Sequence, residues 1–453
     1  MVGFKRTLLW DITPECNLRC KHCYNAEKYF GENRKNDVLS YSQCIDVINK
    51  LVKGGFDHIH LLGGEPLMRK DIFDIISYAN LKGVTVTINT NGALLDEQNI
   101  EKLIESGIKQ ISISLDSTDP QINDNIRGVG TFRKVIENIA LLKSKLKKSN
   151  KYVLIQISTV IIKNNAEDII NFPKILKELG INVLNVLSLY KCGNANRNKE
   201  LLYDLNIELR AIKRLIEVKN RVYPDLFLQL DCKPIVARYL NRVFGKKYIE
   251  ENKSVCRAGE SIWLLEPNGD IYPCGSCNLS TAEACKREGK LKGKPVNILE
   301  LEYFENIENH IFYKSFRKLK EENKHNKRLC KVCEFNSICD GACPLKLEDE
   351  YSICDVISQE EQRYYDKLKF NRYKICENVL TKIDDKESVL FRMDEGVVKR
   401  FNNWKSLVLK YIENNEGIKD IYSELLRSGY NISEIELSRF LLDLKCFGYI
   451  KRL

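Results

Sequence analysis

Residues 8–24 read LLWDITPECNLRCKHCY and join a strand-like segment to three closely spaced cysteines. The run 8–12 is almost wholly apolar and predicts a buried β-strand. Cys16, Cys20 and Cys23 follow it on one loop. Three thiolates on one loop can bind three irons of a cubane cluster, and the fourth iron then keeps the open position that a reactive metal centre needs. From spacing alone, a zinc loop with a distant fourth ligand remains the alternative.

Strand-like and helix-like patterns alternate through the first half of the chain. Short apolar runs predict strands, and stretches with helical periodicity lie between them. The predicted strands are 8–12, 58–62, 84–89, 110–115, 153–159 and 183–189, and the predicted helices include 42–52, 71–81, 97–106 and 131–145. Because repeated strand–helix units favour a parallel sheet, the expected fold class is α/β, a partial (β/α)6 TIM-like barrel.

The composition is that of a globular chain of 453 residues with a formal net charge of +10. About eleven cluster thiolates and about three clusters of roughly +2 each would lower that charge to about +5, so the basic balance is weak evidence for nucleic acid. No apolar signal core follows residues 1–6, and no apolar run has the length of a membrane span. The expected location is the cytoplasm, where 17 cysteines are expected to bind metal rather than form disulfides.

The segment Cys16–Tyr24 resembles the signature of the radical S-adenosylmethionine (SAM) superfamily. The resemblance covers roughly residues 7–200. It implies a [4Fe–4S] cluster on Cys16, Cys20 and Cys23, with the amino and carboxylate groups of SAM on the open iron. One electron then cleaves SAM to methionine and a 5′-deoxyadenosyl radical, which abstracts hydrogen from a substrate.

The same resemblance implies a set of SAM-binding positions at the carboxyl ends of the strands, where α/β barrels place their active sites. In the family, the Gly-Gly-Glu-Pro motif contacts the SAM amino group, and an arginine contacts the SAM carboxylate. Two residues at the end of the fourth strand contact the ribose. The positions are His22, Gly63, Gly64, Glu65, Pro66, Asn91, Ser114, Asp116, Arg127 and Asn165. A plain turn at Gly63–Pro66 and a surface role for Arg127 are the alternatives.

A second set of cysteines resembles the SPASM domain, which carries two auxiliary [4Fe–4S] clusters in peptide-modifying enzymes. The resemblance assigns one cluster to Cys330, Cys333, Cys339 and Cys354, and gives Cys256, Cys274 and Cys343 to the other. Its fourth ligand is uncertain, because Ile262 stands where several relatives carry a cysteine. Cys277 is the first substitute, and Cys285 or an open iron are the alternatives. A zinc ribbon over 330–354 is the competing interpretation.

Cys192 follows the sixth predicted strand, on the expected rim of the active site. A thiol at this position could donate a hydrogen atom, as peptide epimerases of the superfamily require. Ordinary packing is the alternative.

Three domains are predicted: a radical SAM barrel with bridging helices over 1–235, a SPASM domain over 236–380, and a winged-helix-like α+β module over 381–453. Residues 195–250 look helical and linker-like, the core of 256–354 is expected to be metal rather than side chains, and 359–380 looks helical. The module is predicted as a hairpin (389–393 and 397–401), helices at 404–414, 418–427 and 433–446, and a strand at 448–450. It resembles the leader-peptide recognition element of ribosomal-peptide maturases, and a DNA-binding winged helix is the alternative.

The resulting expectation is a radical SAM/SPASM maturase that forms a thioether or carbon–carbon crosslink, an epimer or an oxidised residue in a ribosomally made peptide. Its cofactors would be SAM and three [4Fe–4S] clusters, and its partners a peptide with a leader and a one-electron donor of flavodoxin or ferredoxin type. Neither a membrane nor nucleic acid is expected as a partner. The alternatives are a sulfatase-maturing enzyme and an iron–sulfur DNA-binding regulator. Sulfatase-maturing relatives carry an aspartate where this chain has Gly275.

Overall fold

A computed structural model describes residues 5–31, 37–232, 234–244, 256–278, 280–323, 345, 353–384 and 386–453. The chain divides into two compact units. The first unit joins Met1–Asp231 to Val255–Asp349, and the second joins Cys232–Ser254 to Glu350–Leu453. The division into three domains at residues 235 and 380 stays a prediction.

The first unit is built on a ten-stranded sheet in the order β10-β9-β8-β1-β2-β3-β4-β5-β6-β7. Strands β1 to β7 pair in parallel in chain order, and β8 pairs in parallel with β1. Strand β9 is antiparallel to β8, and β10 is antiparallel to β9. All six predicted strands are present, and the α/β partial-barrel fold class is confirmed. The strands are β1 Thr7–Asp11, β2 His58–Leu62, β3 Thr85–Thr90, β4 Gln110–Ser114, β5 Leu154–Ile161, β6 Val183–Ser188, β7 Phe227–Leu230, β8 Ile262–Leu265, β9 Asp270–Tyr272 and β10 Val296–Asn297.

Helices follow the parallel strands, and the sequence explains where they begin. At the second helix, Ser40 and Gln43 form a reciprocal capping box, and the buried stripe includes Cys44, Val47 and Leu51. The helices through residue 323 are α1 Ala26–Phe30, α2 Tyr41–Lys53, α3 Ile72–Leu81, α4 Glu97–Glu105, α5 Pro120–Arg127, α6 Thr131–Ser149, α7 Phe172–Leu179, α8 Asn194–Arg197, α9 Leu205–Val222, α10 Pro234–Phe244, α11 Ser280–Arg287 and α12 Ile311–Asn323.

The two faces of the central strands differ in chemistry. Alternate residues such as Ile59, Ile88 and Ile111 are fully or almost fully buried and apolar. The intervening residues form what we call the polar face of the sheet. Its polar members on β2 to β6 are His58, His60, Thr85, Thr87, Asn89, Gln110, Ser112, Ser114, Gln156, Ser158 and Asn185, and its apolar members are Leu62, Leu154, Val160, Val183 and Leu187.

Two sequence-based expectations for the first unit were wrong. Residues 195–250 are not merely helical, because β7 extends the sheet beyond β6. The described part of 256–354 is not cored by metal alone, because β8 pairs with β1 and aromatic side chains pack beneath it. Trp263 lies edge-on to Phe304 and contacts Tyr313, and all three are buried.

The second unit contains α10, a helix over Ile353–Leu368, two small sheets and three further helices. One sheet pairs β11 (Tyr373–Ile375) with β15 (Ile450–Arg452), and the other has the order β12-β13-β14. The remaining elements are β12 Val379–Ile383, β13 Glu387–Arg392, β14 Val397–Asn402 and the helices Trp404–Glu413, Ile418–Arg427 and Glu434–Cys446. The hairpin and the three helices match the prediction, and Ser433 and Glu436 form a capping box at the start of the last helix.

The predicted helix over 359–380 was wrong at its carboxyl end. The helix stops at Leu368, where Asn371 N–H bonds back to the Leu368 carbonyl. The next residues alternate Tyr373 and Ile375 with polar neighbours and therefore form a strand against β15.

The last helix of the second unit is held by buried ion pairs. Arg242, on α10, contacts both Glu361 at 3.3 Å and Asp443 at 2.7 Å. Arg439 contacts the other oxygen of Glu361 at 2.8 Å, and Glu361 is fully buried. The charged groups of this helix are thus engaged within the unit.

None of the helices that the structure describes combines the length and the apolar character of a membrane span.

Candidate cofactor site

The three-cysteine loop leaves the carboxyl end of β1 and is held by the segment that follows β6. Asn194 donates from its backbone N–H to the Cys23 carbonyl and from Nδ2 to the Cys20 carbonyl, both at 3.0 Å. Gly193 has φ +57° and lies so close to the Cys23 and Tyr24 carbonyls that a Cβ would clash with them. These contacts fix the backbone of the loop independently of any bound group.

The three thiols are partly buried. Burial raises the pKa of Cys20 to about 11 and that of Cys23 to about 12, while the nearby Arg127 opposes both shifts. A cation is therefore needed to hold these sulfurs as thiolates at neutral pH. The donor set, three thiols from one loop beside one guanidinium, fits an iron–sulfur cluster with an open iron.

Asp116, just after β4, links the cysteine loop to α5 and β5. Its Oδ2 lies 2.7 Å from Arg127 Nε and 3.1 Å from His22 Nε2, and its Oδ1 accepts from Val160 N–H at 2.9 Å. Burial alone would raise the pKa of Asp116, but Arg127 and His22 outweigh it and hold the pKa well below its ordinary range. The Asp116 carboxylate is fully buried.

Glu65 ties the turn after β2 to the turn after β3. Its Oε1 accepts from Thr90 Oγ1 at 2.8 Å and Leu67 N–H at 3.2 Å, and its Oε2 accepts from Asn91 N–H at 2.7 Å. Burial raises its pKa to about 7, against these donors. Asn91 in turn donates to Asn17 Oδ1 at 2.8 Å, which connects this network to the cysteine loop.

The two glycines before Glu65 permit a close backbone approach to the segment after β1. Gly63 has φ +128°, and a Cβ there would lie 2.5 Å from the Thr13 carbonyl. A Cβ on Gly64 would clash with the Glu15 carbonyl. Pro66 begins the short 3₁₀ turn that follows. The two glycines therefore position the loop that follows β1.

The remaining predicted SAM contacts differ in how they are engaged. Asn165 is fully buried and uses both side-chain atoms on backbone groups, with Nδ2 donating to the Asp116 carbonyl at 2.6 Å. Ser114 is half-buried, and its hydroxyl has no hydrogen bond within the described residues. Cys192 is fully buried, which favours the packing alternative. The individual SAM contacts and the hydrogen-donor role of Cys192 stay predictions.

Part of the auxiliary-cluster set lies outside the described residues, namely Cys330, Cys333, Cys339 and Cys343. Cys256 and Cys354 are described and partly buried. Cys274 and Cys277 lie together, with their sulfurs 3.6 Å apart, and Cys277 is fully buried. The substitute ligand predicted from the sequence therefore lies beside a family-matched cysteine.

Two supports of the site were missed by the sequence reasoning. Asn194 and Gly193 stand in a Cys-Gly-Asn-Ala segment that was considered only for its thiol. The Asn17–Asn91 bond joins residues 74 positions apart, so no local pattern points to it. The available signal in the sequence was the glycine followed by an asparagine, Gly193 and Asn194, shortly after β6.

The family model of the radical SAM superfamily matches residues 10–172. This match confirms the resemblance to the superfamily: the chain carries a radical SAM domain and is a radical SAM enzyme. The family implies SAM and a [4Fe–4S] cluster as cofactors.

Curated relatives and solved structures extend the similarity along the chain. The AdoMet-dependent heme synthase of Methanosarcina barkeri is 27% identical, over 75% of this chain and 92% of that protein. The mycofactocin maturase MftC of Mycolicibacterium smegmatis is 26% identical, over 74% and 77%. Streptococcus suis SuiB bound to precursor peptide SuiA has a TM-score of 0.58 at 20% identity, over 76% of this chain and 75% of that one.

Proposed function

We propose that this chain modifies a ribosomally made peptide by radical chemistry. The observation that carries the proposal is the second unit, a folded module with an open sheet edge joined to a radical SAM barrel. SuiB is solved with a precursor peptide and MftC is named as a maturase, and both relatives support a peptide substrate.

The chain's own residues would hold the reactive group and keep it oriented. When bound, the cluster and SAM supply a 5′-deoxyadenosyl radical that abstracts hydrogen from the substrate. Cys16, Cys20 and Cys23 would ligate the cluster, and Arg127 would offset its negative charge. The fully buried Asp116 fixes the guanidinium, so little reorganisation is needed when the cofactors bind.

Two auxiliary [4Fe–4S] clusters belong to the same proposal. Cys256, Cys274, Cys277 and Cys343 would hold one, and Cys330, Cys333, Cys339 and Cys354 the other. The pairing of Cys274 with Cys277 supports the fourth ligand. A one-electron donor of flavodoxin or ferredoxin type would reduce the centre that binds SAM.

Strand β14 is one of the two edge strands of the sheet β12-β13-β14 in the second unit. Within the described strands β14 pairs only with β13, so its outer backbone groups are available to an added strand. Lys399, Arg400 and the following Lys405 are exposed. We therefore propose that a leader peptide with an acidic segment adds to β14. DNA binding fits less well, because Arg439 of the last helix is paired with the buried Glu361.

The β14 proposal can be tested with a displayed library of random peptides captured on the holoprotein. The recovered peptides should be enriched in Asp and Glu, and K399E/R400E should remove that enrichment because it reverses the charge of the edge. K147E/K148E, at the exposed carboxyl end of α6, is the matched control and should leave the selection unchanged. Recovery of the same acidic peptides by K399E/R400E would exclude this edge.

Action on a tetrapyrrole is the second candidate, because relatives are named heme synthase. The two candidates separate by following deuterium into 5′-deoxyadenosine. Incubation with intact small polypeptides extracted from perdeuterated cells that make this chain should give deuterated 5′-deoxyadenosine, since hydrogen abstraction transfers the label. Label acquired from a perdeuterated iron porphyrin but not from the polypeptide extract would reverse the assignment.

A further inference from the structure

The polar face of the central sheet is uncharged. Within β2 to β6, all of which the structure describes, the sequence contains no Asp, Glu, Lys or Arg. Burial lowers the pKa of His58 to about 4 and that of His60 to about 3, so both imidazoles are neutral near pH 7. Barrel interiors are usually filled by branched apolar side chains. This face instead carries mostly neutral amides, hydroxyls and imidazoles among a few apolar side chains, and it is suited to hydrogen bonding with an uncharged polar ligand.

A chain of hydrogen bonds runs across this face from β4 to β6. Gln156 Nε2 donates to Ser112 Oγ at 2.9 Å, and the Ser112 and Ser158 hydroxyls lie 2.8 Å apart. Asn185 Nδ2 donates to Ser158 Oγ at 3.3 Å. The strand register places Ser114, Ser158 and Asn185 side by side. The series of hydrogen bonds thus ends at Asn185. This residue lies in the row that begins with Ser114, two residues before Asp116.

The side-chain acceptor oxygen of Asn185 is unsatisfied within the described residues. Its Oδ1 is buried and has no hydrogen-bond partner within the described residues. The bond from Nδ2 to Ser158 sets the orientation of the carboxamide, because a hydroxyl already shared with Ser112 is best matched by an N–H donor. A buried acceptor without a partner destabilises the free protein, and an N–H group of a bound molecule would remove that cost.

We propose that Asn185 is a substrate-positioning residue whose Oδ1 accepts a hydrogen bond from a peptide N–H of the substrate. The inference rests on the proposed peptide-modifying function and deepens it: the bound segment is an uncharged stretch of polypeptide lying along the polar face. A carboxylate-rich ligand would find no cation on β2 to β6, whereas backbone amides match the side chains present.

A stability measurement tests whether Asn185 is merely structural. In the holoprotein, N185L removes the buried acceptor and leaves Ser158 bonded to Ser112, so the thermal midpoint should stay the same or rise. N165L is the matched control, and it should lower the midpoint by several degrees because both polar atoms of Asn165 are bonded. A comparable fall in N185L would overturn the proposal, since it would show that the asparagine stabilises the fold.

Deuterium transfer from the same perdeuterated polypeptide extract tests the role in positioning. The deuterated fraction of the 5′-deoxyadenosine that N185L forms should fall about tenfold relative to wild type, the effect of losing one well-placed hydrogen bond. An unchanged deuterated fraction in N185L would overturn the inference and leave the proposed function standing. Absence of deuterium in the wild-type product would overturn the proposed function itself.

Discussion

At the scale of single residues, Asp116 determines how the site is held together. It contacts His22 in the cysteine loop and Arg127 at the end of α5, and its backbone carbonyl accepts from Asn165. A buried carboxylate is stable only when paired and hydrogen-bonded. Its position therefore connects the cluster loop to the ends of two neighbouring strands.

Replacing this carboxylate should destabilise the first unit. D116N leaves the Arg127 guanidinium buried without its counter-ion, and breaking one side of a buried ion pair costs about 3–5 kcal/mol. The urea midpoint of the anaerobically purified protein should fall, and 5′-deoxyadenosine formation should fall with it. E137Q, which removes an exposed pair with Arg133, is the control and should not change the midpoint. Equal midpoints for D116N and E137Q would show that the pair is not structural.

Cys277 and Cys285 make opposite predictions at the same scale. Both are fully buried, and the sulfur of Cys277 lies 3.6 Å from that of Cys274. C277A should lower the iron content by about four atoms per chain, one cubane, whereas C285A should keep the wild-type content. Iron and sulfide analysis with electron paramagnetic resonance would check this. Full iron in C277A, or an equal loss in C285A, would contradict the ligand assignment.

Sequence reasoning at the residue scale predicted members of the candidate site but not the contacts among them. Glu65, Asn91, Asp116 and Arg127 were all selected from motif positions. Their described partners are mostly one another and nearby backbone, through bonds such as Asn91 N–H to Glu65. Which side chain lies within 3 Å of which depends on strand register and loop geometry, and these are not encoded in any short motif.

At the scale of elements, the six strands of the barrel were predicted because each is a short apolar run between helical patterns. Strand β7 was missed because Phe227–Leu230 is only four residues long, and Phe227 and Gln229 are exposed. Strand β8 was missed because its parallel partner, β1, is far away in the sequence. Pairing across such a distance is decided by tertiary packing rather than by local propensity.

The neutral histidines of β2 should make the first unit sensitive to acid. Their folded-state pKa values are lowered, to about 4 for His58 and about 3 for His60, so the unfolded chain binds more protons below pH ~6.5. Stability is therefore lost as pH falls from about 6.5 toward these values. H60Q should reduce the difference between the unfolding free energies at pH 8 and pH 5, and H310Q, a substitution outside the sheet, should not. An unchanged pH dependence in H60Q would show that His60 is not buried as a neutral base.

At the scale of the whole molecule, the chain divides into two compact units with different features. The first brings the cysteine loop, the glycine motif and the polar face to one sheet. The second presents an open strand beside exposed cations. A long sheet with a polar face and a small module with an open edge are both suited to an extended polypeptide.

We infer that the cysteines of the loop after β1 bind the cluster that starts radical chemistry on SAM. The most direct measurement is 5′-deoxyadenosine formed from SAM by the dithionite-reduced holoprotein, compared with the C16A/C20A/C23A variant. Wild type should form it, and the variant should form none while retaining the iron of its auxiliary clusters, about eight atoms per chain. Continued SAM cleavage by the variant, or none by fully loaded wild type, would contradict the assignment.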